Sequence, residues 1–207
     1  MIEAILFDFG RVISAPRPSA RFREYESQLG IAKGSINQLM FDSPAWRAAL
    51  VGRMSMQAFW HAIGPSLNLK SRMEIDAFRR QYYRDEFVNP KVLSVIRRLH
   101  GIYRLAVLSN HPPGIDAWLQ DWQIHHLFDV VVGSGDVGYT KPDPKIYQIA
   151  LDSLGVRPSD TLFIDDTPGH VRAAEALGMH GIVYVNADRL VSDLHALTQA
   201  QKADRHS

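Results

Sequence analysis

Two short apolar runs, far apart in the chain, each end on carboxylates. Ile5-Leu6-Phe7 runs into Asp8, and Phe9-Gly10 follows. Thr161-Leu162-Phe163-Ile164 runs into Asp165 and Asp166. Continuous apolar stretches of this length are the pattern of strands covered on both faces of a parallel sheet. Ligands of such sheets bind beyond the carboxyl ends of the strands. If the two runs are neighbouring strands, three carboxylates meet at one sheet edge, where they repel one another unless a cation lies among them. A hard divalent ion that favours oxygen ligands, Mg²⁺, is the expected occupant. One carboxylate then remains available as a nucleophile.

Two further segments obey the same rule. Leu105-Ala106-Val107-Leu108 is another apolar run and ends on Ser109-Asn110. Lys141 lies in Gly138-Tyr139-Thr140-Lys141-Pro142-Asp143-Pro144, a loop that leads into a helix pattern. With these in place the chain resembles the haloacid dehalogenase-like hydrolase superfamily. The resemblance rests on a first-strand Asp (Asp8), a second-strand Ser (Ser109), a loop Lys (Lys141) and a fourth-strand acidic pair (Asp165 and Asp166), in that order. It covers residues 1 to about 13 and about 90 to 190.

The resemblance implies an α/β fold with a doubly wound, Rossmann-like parallel sheet and an inserted helical cap. It also implies roles. Asp8 attacks phosphorus, and Ser109 donates to a phosphoryl oxygen. Lys141 brings positive charge to nucleophile and phosphate. Asn110 positions the substrate or holds the Ser109 loop. The metal set is Asp8, the carbonyl of Gly10, and Asp166, with Asp165 beside it in the first or second shell. The expected function is Mg²⁺-dependent phosphomonoester hydrolysis on a small phosphorylated metabolite through an aspartyl-phosphate.

Gly10 departs from the family pattern. Phosphatases of the family usually carry a second Asp there, which protonates the leaving group and later activates water. The chain shares Asp-x-Gly with some sequences resembling sugar-phosphate phosphatases. Without that acid, stable leaving groups are favoured, or His111, Arg11 or a cap side chain substitutes. His170 stands where Asn is frequent in the family. Two other functions compete. A dehalogenase on this fold needs no metal and carries Ser and Asn in its fourth motif, so Asp165-Asp166 argues against it. An idle binding or regulatory protein is the other, and Gly10 is the feature in its favour.

Bulk properties narrow the field. The chain has 207 residues, 46% of them hydrophobic and 22% charged, which supports a sizeable core and excludes general disorder. A net charge of +1 excludes a dedicated nucleic-acid binder. Without cysteine there is neither a disulfide framework nor a thiolate metal site. No apolar stretch reaches the roughly 20 residues a bilayer requires. With no secretory pattern before the first strand, a cytoplasmic location is expected.

The organisation follows from periodicity. Strands are expected over 2–8, 103–108, 130–132, 161–164 and 182–185, alternating with helices from Asn89 onward. A polar, frayed tail follows from about 198. Strand 1 is central, because the ends of strands 1, 2 and 4 must meet. Residues 14–88 read as helices, with Ser43, Ser55 and Ser71 as starts and Ser71-x-x-Glu74 as a capping box. This divides the chain into a core of 1–13 and 89–207 and a cap of 14–88. Eleven Lys/Arg against seven Asp/Glu between 14 and 90 give the cap a net charge of about +4, suited to an anionic substrate.

Overall fold

The computed structural model describes the backbone of residues 1–203 and the side chains of residues 1–197. Five strands form one sheet: β1 (Ala4–Phe7), β2 (Arg104–Ser109), β3 (Val130–Gly133), β4 (Thr161–Asp165) and β5 (His180–Val183). All pairings are parallel and the order is β3-β2-β1-β4-β5, so β1 is central. The sheet is doubly wound. Alternate side chains of each strand enter opposite apolar layers, as the two-residue strand period requires. Ile5, Phe7, Leu105, Val107, Leu162 and Ile164 pack with helices Pro90–Leu99 and Ile115–Asp121. Ala4, Leu6, Ala106, Leu108 and Phe163 pack on the other face with helix Pro144–Leu154.

Strand ends differ slightly from the sequence expectation. β1 is shorter than 2–8, yet its ladder continues beyond both ends. Glu3 N–H donates to the Asp160 carbonyl at 2.7 Å, and Asp8 N–H donates to the Ile164 carbonyl at 2.8 Å. β5 begins two residues before the expected 182, because its register pairs Leu162 with His180 and Asp165 with Val183. Main-chain partners on β4 therefore decide the strand, rather than the weak strand preference of His180-Gly181. The last helix, Ala187–Ala203, carries regular backbone into the tail expected to fray. Residues 204–207 lie outside the described residues.

Between β1 and helix Pro90–Leu99 the chain is helical, apart from its connections. The main pieces are Ser19–Leu29, Pro44–Leu50, Met56–Ile63 and Arg72–Arg84. The starts of the last three are those read from sequence. Ser43 and Ser55 accept N–H bonds from Trp46 and Ala58, and Ser71 and Glu74 form a reciprocal capping box. These helices share their own apolar cluster around Trp60, which touches the rings of Phe59, Phe78, Tyr82 and Tyr83. Entry and exit run side by side. Ser14 and Val88 form an antiparallel bridge, and Asn89 N–H donates to the Ile13 carbonyl at 2.8 Å.

The helical segment also rests on the end of β3. Ser134 Oγ donates to the Leu50 carbonyl at 2.6 Å. Gly52 has φ +72, and a Cβ there would lie 2.2 Å from the Gly135 carbonyl oxygen. Only glycine permits this approach. Among the described residues no helix is long and apolar enough to cross a membrane.

Candidate active site

The ends of β1, β2 and β4 bring the predicted residues to one point. Asp8 directly follows β1, Ser109 ends β2 and Asp165 ends β4. The Lys141 side chain, 1% exposed, reaches across from its loop. Its Nζ donates to Asp8 Oδ1 at 2.7 Å, to Asp165 Oδ2 at 2.6 Å and to the Leu108 carbonyl at 2.9 Å. One buried ammonium thus ties two buried carboxylates together. A buried ionic group of this kind persists only when its hydrogen bonds are made.

Burial raises the pKa of Asp8, and the charge of Asp165 adds to the rise, while Lys141 and Ser109 oppose it. Asp165 falls the other way. Burial would raise it too, but the hydrogen bond from His170, the charge and bond of Lys141, and the Thr167 N–H bring it down to about 2. The His170 ring Nδ1 lies 3.1 Å from Asp165 Oδ2, and Thr167 N–H donates to Oδ1 at 2.7 Å. His170, whose consequence was open in the sequence, therefore secures Asp165. Nothing in the sequence signalled this contact.

Asp166 follows the end of β4 and converges on the same point as Asp8 and Asp165. Its side chain is 16% exposed and pairs with Arg11, whose Nη1 is 3.1 Å from Asp166 Oδ2. Asp166 does not cap the following helix, which starts after Thr167 without a side-chain cap. Arg11 itself has φ 62, uncommon for a residue with a side chain. Its N–H is held by Ser14 Oγ at 3.1 Å.

The donor set suits a hard divalent cation. Asp8, Asp165 and Asp166 offer oxygens that all lie within 4.8 Å of one another. Lys141 and the mostly exposed Arg11 are the cations paired with these three carboxylates. With His170 also beside Asp165, three carboxylates share one buried ammonium and one exposed guanidinium, and oxygen ligands of this type are those Mg²⁺ takes.

Asn110 engages the Lys141 backbone at both ends of its amide. Oδ1 accepts from Lys141 N–H at 2.7 Å and Nδ2 donates to the Lys141 carbonyl at 2.9 Å. It fixes the loop that delivers the lysine, across 31 residues of sequence. His111 lies beside Phe9, with ring centroids 5.5 Å apart. Its Nδ1 is 2.7 Å from the Pro112 carbonyl, so that nitrogen carries the proton. Burial lowers its pKa to about 4. At neutral pH its remaining nitrogen is an acceptor and holds no proton to give.

Above the carboxylates a cavity of about 730 Å³ opens between the helical segment and the sheet edge. Gly10, Ser109, Asn110 and Asp166 line its floor.

Sequence comparison agrees with this arrangement. The family described as haloacid dehalogenase-like hydrolase matches residues 2–178. Acyl-CoA dehydrogenase family member 10 of Mus musculus is 29% identical across 94% of this chain and 19% of that protein, so the chain spans about a fifth of that relative. A phosphatase of Mycobacterium tuberculosis is 28% identical, covering 79% of this chain and 76% of its own. Among solved structures, a haloacid dehalogenase-family enzyme of Bacteroides thetaiotaomicron, in complex with magnesium and inorganic phosphate, superposes with a TM-score of 0.71. That likeness covers 89% of this chain and 95% of the other at 20% identity, and it speaks for the fold. The ordered strand-end motifs, the central β1 and the family match over residues 2–178 lead to one conclusion: the chain belongs to the haloacid dehalogenase-like hydrolase family.

Proposed function

We propose that this hydrolase is a Mg²⁺-dependent phosphomonoesterase acting on a small phosphorylated metabolite. The observation that carries the reading is the cluster of Asp8, Asp165 and Asp166 with Lys141 bridging the first two. A dehalogenase needs a nucleophilic carboxylate but not a surplus of negative charge at the same edge.

Asp8, Asp166 and the Gly10 carbonyl would hold Mg²⁺, with Asp165 beside them. Bound there, the ion supplies charge neutralisation between nucleophile and phosphate. Asp8 attacks phosphorus in line. The bond to the ester oxygen breaks, and the alcohol leaves with the electron pair and takes a proton from solvent. Water then attacks phosphorus of the aspartyl-phosphate, releasing inorganic phosphate and restoring Asp8. Lys141 holds the Asp8 carboxylate in place and offsets charge, and Ser109 donates to a phosphoryl oxygen. Asn110 positions Lys141 rather than the substrate. Positioning and charge do most of the work in such a transfer, because little other covalent chemistry is asked of the protein.

In the same reading residues 14–88 are a cap over a core of 1–13 and 89–207. The separate apolar cluster of the segment, the paired entry and exit at Ser14 and Val88, and the cavity beneath it support that division.

The test is hydrolysis of an aryl phosphate with Mg²⁺ and with chelator. Activity that needs Mg²⁺ and is lost in Asp8→Asn is the expected result. Gly10 favours one alternative, an idle binding protein. Saturable phosphate-ester binding with no turnover under any metal would establish that instead.

A further inference from the structure

We propose that the alcohol half of the substrate is a bulky apolar body, held in the cavity above Asp8. This deepens the phosphomonoesterase reading and rests on it. The cavity, about 730 Å³, is of the size that holds a drug-sized molecule. Its walls carry Met40, Phe41, Trp46, Tyr82, Tyr83 and Trp118.

A sugar phosphate would bring several hydroxyls into this space, and each needs a partner once water is excluded. Most polar side chains of the upper walls already have partners, although Arg17 Nε is buried without one and Asp42 also lines the cavity. Arg17 donates to the Tyr82 carbonyl at 3.0 Å, lies 3.6 Å from Glu86, and stacks 3.9 Å over the Tyr82 ring. Tyr83 OH accepts from Trp60 Nε1 at 2.7 Å. Arg11 is paired with Asp166. Arg17 and Glu86 have opposite charges, so that wall offers no net attraction to a second anionic group. Most of the surface left for a substrate body is aromatic, thioether and aliphatic. Phe41, edge-on to Trp46 at 5.8 Å, is 47% exposed at the mouth, where an apolar ligand would cover it. Burial of apolar surface and ring contact then become the source of specificity.

The test compares three esters of primary alcohols under Mg²⁺: naphthylethyl phosphate, ethyl phosphate and glycerol phosphate. Their leaving groups are alike, so differences in kcat/KM report the body. The expected preference for naphthylethyl phosphate is about 30-fold or more over both others. Phe41→Ala and Trp46→Ala should each reduce that preference about tenfold. Phe41 is at the surface, so its variant keeps the test open should Trp46→Ala not fold. Equal turnover of glycerol phosphate, or undiminished preference in Phe41→Ala, overturns the proposal.

Failure of the phosphomonoesterase reading is separately visible, as no hydrolysis of any ester including p-nitrophenyl phosphate. In that case, and equally where p-nitrophenyl phosphate is hydrolysed but no alkyl ester is, naphthylethanol binding, followed by quenching of tryptophan fluorescence, decides the cavity's part. Saturable binding weakened by Phe41→Ala supports it, and no binding overturns it.

Discussion

A methyl group built on the Gly10 α-carbon would sit 3.8 Å from Asp8 Oδ2, in ordinary contact. Gly10 has φ −65 and ψ 123, a conformation open to any residue. The glycine is therefore required neither by the backbone nor by crowding, and its consequence is chemical: no side chain there can protonate a leaving group. Gly10→Asp is expected to fold normally and to raise kcat/KM on alkyl phosphates by about tenfold or more, with little change on p-nitrophenyl phosphate. A rate series against leaving-group pKa checks this. The wild type should depend steeply on the leaving group and the variant less so. A flat wild-type series with chemistry limiting would show that an acid is already present.

Arg11 and Asp166 make opposing predictions about Mg²⁺. Asp166→Asn removes a charged oxygen ligand and should weaken Mg²⁺ binding at least about tenfold. Arg11→Ala removes a competing cation. Because Arg11 is mostly exposed, the gain should be small, about twofold to fivefold. Titration calorimetry on both variants reads this directly. Equal Mg²⁺ affinity in Asp166→Asn and the wild type would remove Asp166 from the ligand set.

The acidic strand ends, the central β1 and the helix starts at Ser43, Ser55, Ser71 and Asn89 were all legible in the sequence. They depend on short-range rules: apolar runs, caps, and the need of strand ends to converge. What was not legible depends on contacts between distant segments. Asn110 meets the Lys141 backbone, and His170 meets Asp165, only because the loops after β2, β3 and β4 stack at one edge. Trp60, the hub of the helical segment's core, is buried together with its neighbour Phe59 and with Ile63, more than one helix face can hold. Two adjacent residues of one helix are buried there because neighbours cover it on more than one side. The aromatic cavity wall combines Phe41 and Trp46 with Tyr83 and Trp118, three stretches far apart in the chain that no local pattern connects.

Lys141→Met tests how far the fold depends on the site. The change leaves Asp8 and Asp165 facing each other without the buried ammonium. Breaking a buried pair in this way costs about 3 kcal/mol. Urea unfolding without metal should show a loss of that size, and added Mg²⁺ should recover part of it by taking over the cation's place. Unchanged stability would mean that the carboxylates are solvated rather than held by the lysine.

Gly52→Ala tests whether the helical segment must sit close to the sheet edge. The added carbon meets the Gly135 carbonyl, and φ +72 strains any side chain. Displacement at this contact should raise KM for a phosphomonoester while Mg²⁺ affinity holds, since the carboxylate cluster lies elsewhere. Steady-state kinetics with calorimetry separates the two. A normal KM with normal stability would show that the contact has no part in closing the cavity.

His111 supplies an acid-sensitive element. Its pKa falls from 6.5 to about 4 in the folded chain, because burial disfavours the imidazolium. The unfolded chain therefore binds the proton first. The stability that neutral His111 contributes is fully present above about pH 6.5 and is lost as the pH falls from there towards 4. The full shift corresponds to roughly 3 kcal/mol, and partial access of solvent to the ring reduces this to about 2 kcal/mol. His111→Gln keeps a polar side chain but does not titrate in this range. Wild type and variant should differ in unfolding free energy by a constant amount above pH 7. Between pH 6.5 and 4 the difference should shift by about 2 kcal/mol in favour of the variant. Urea melts at a series of pH values measure it. A difference that stays constant across that window would show that His111 titrates alike in both states.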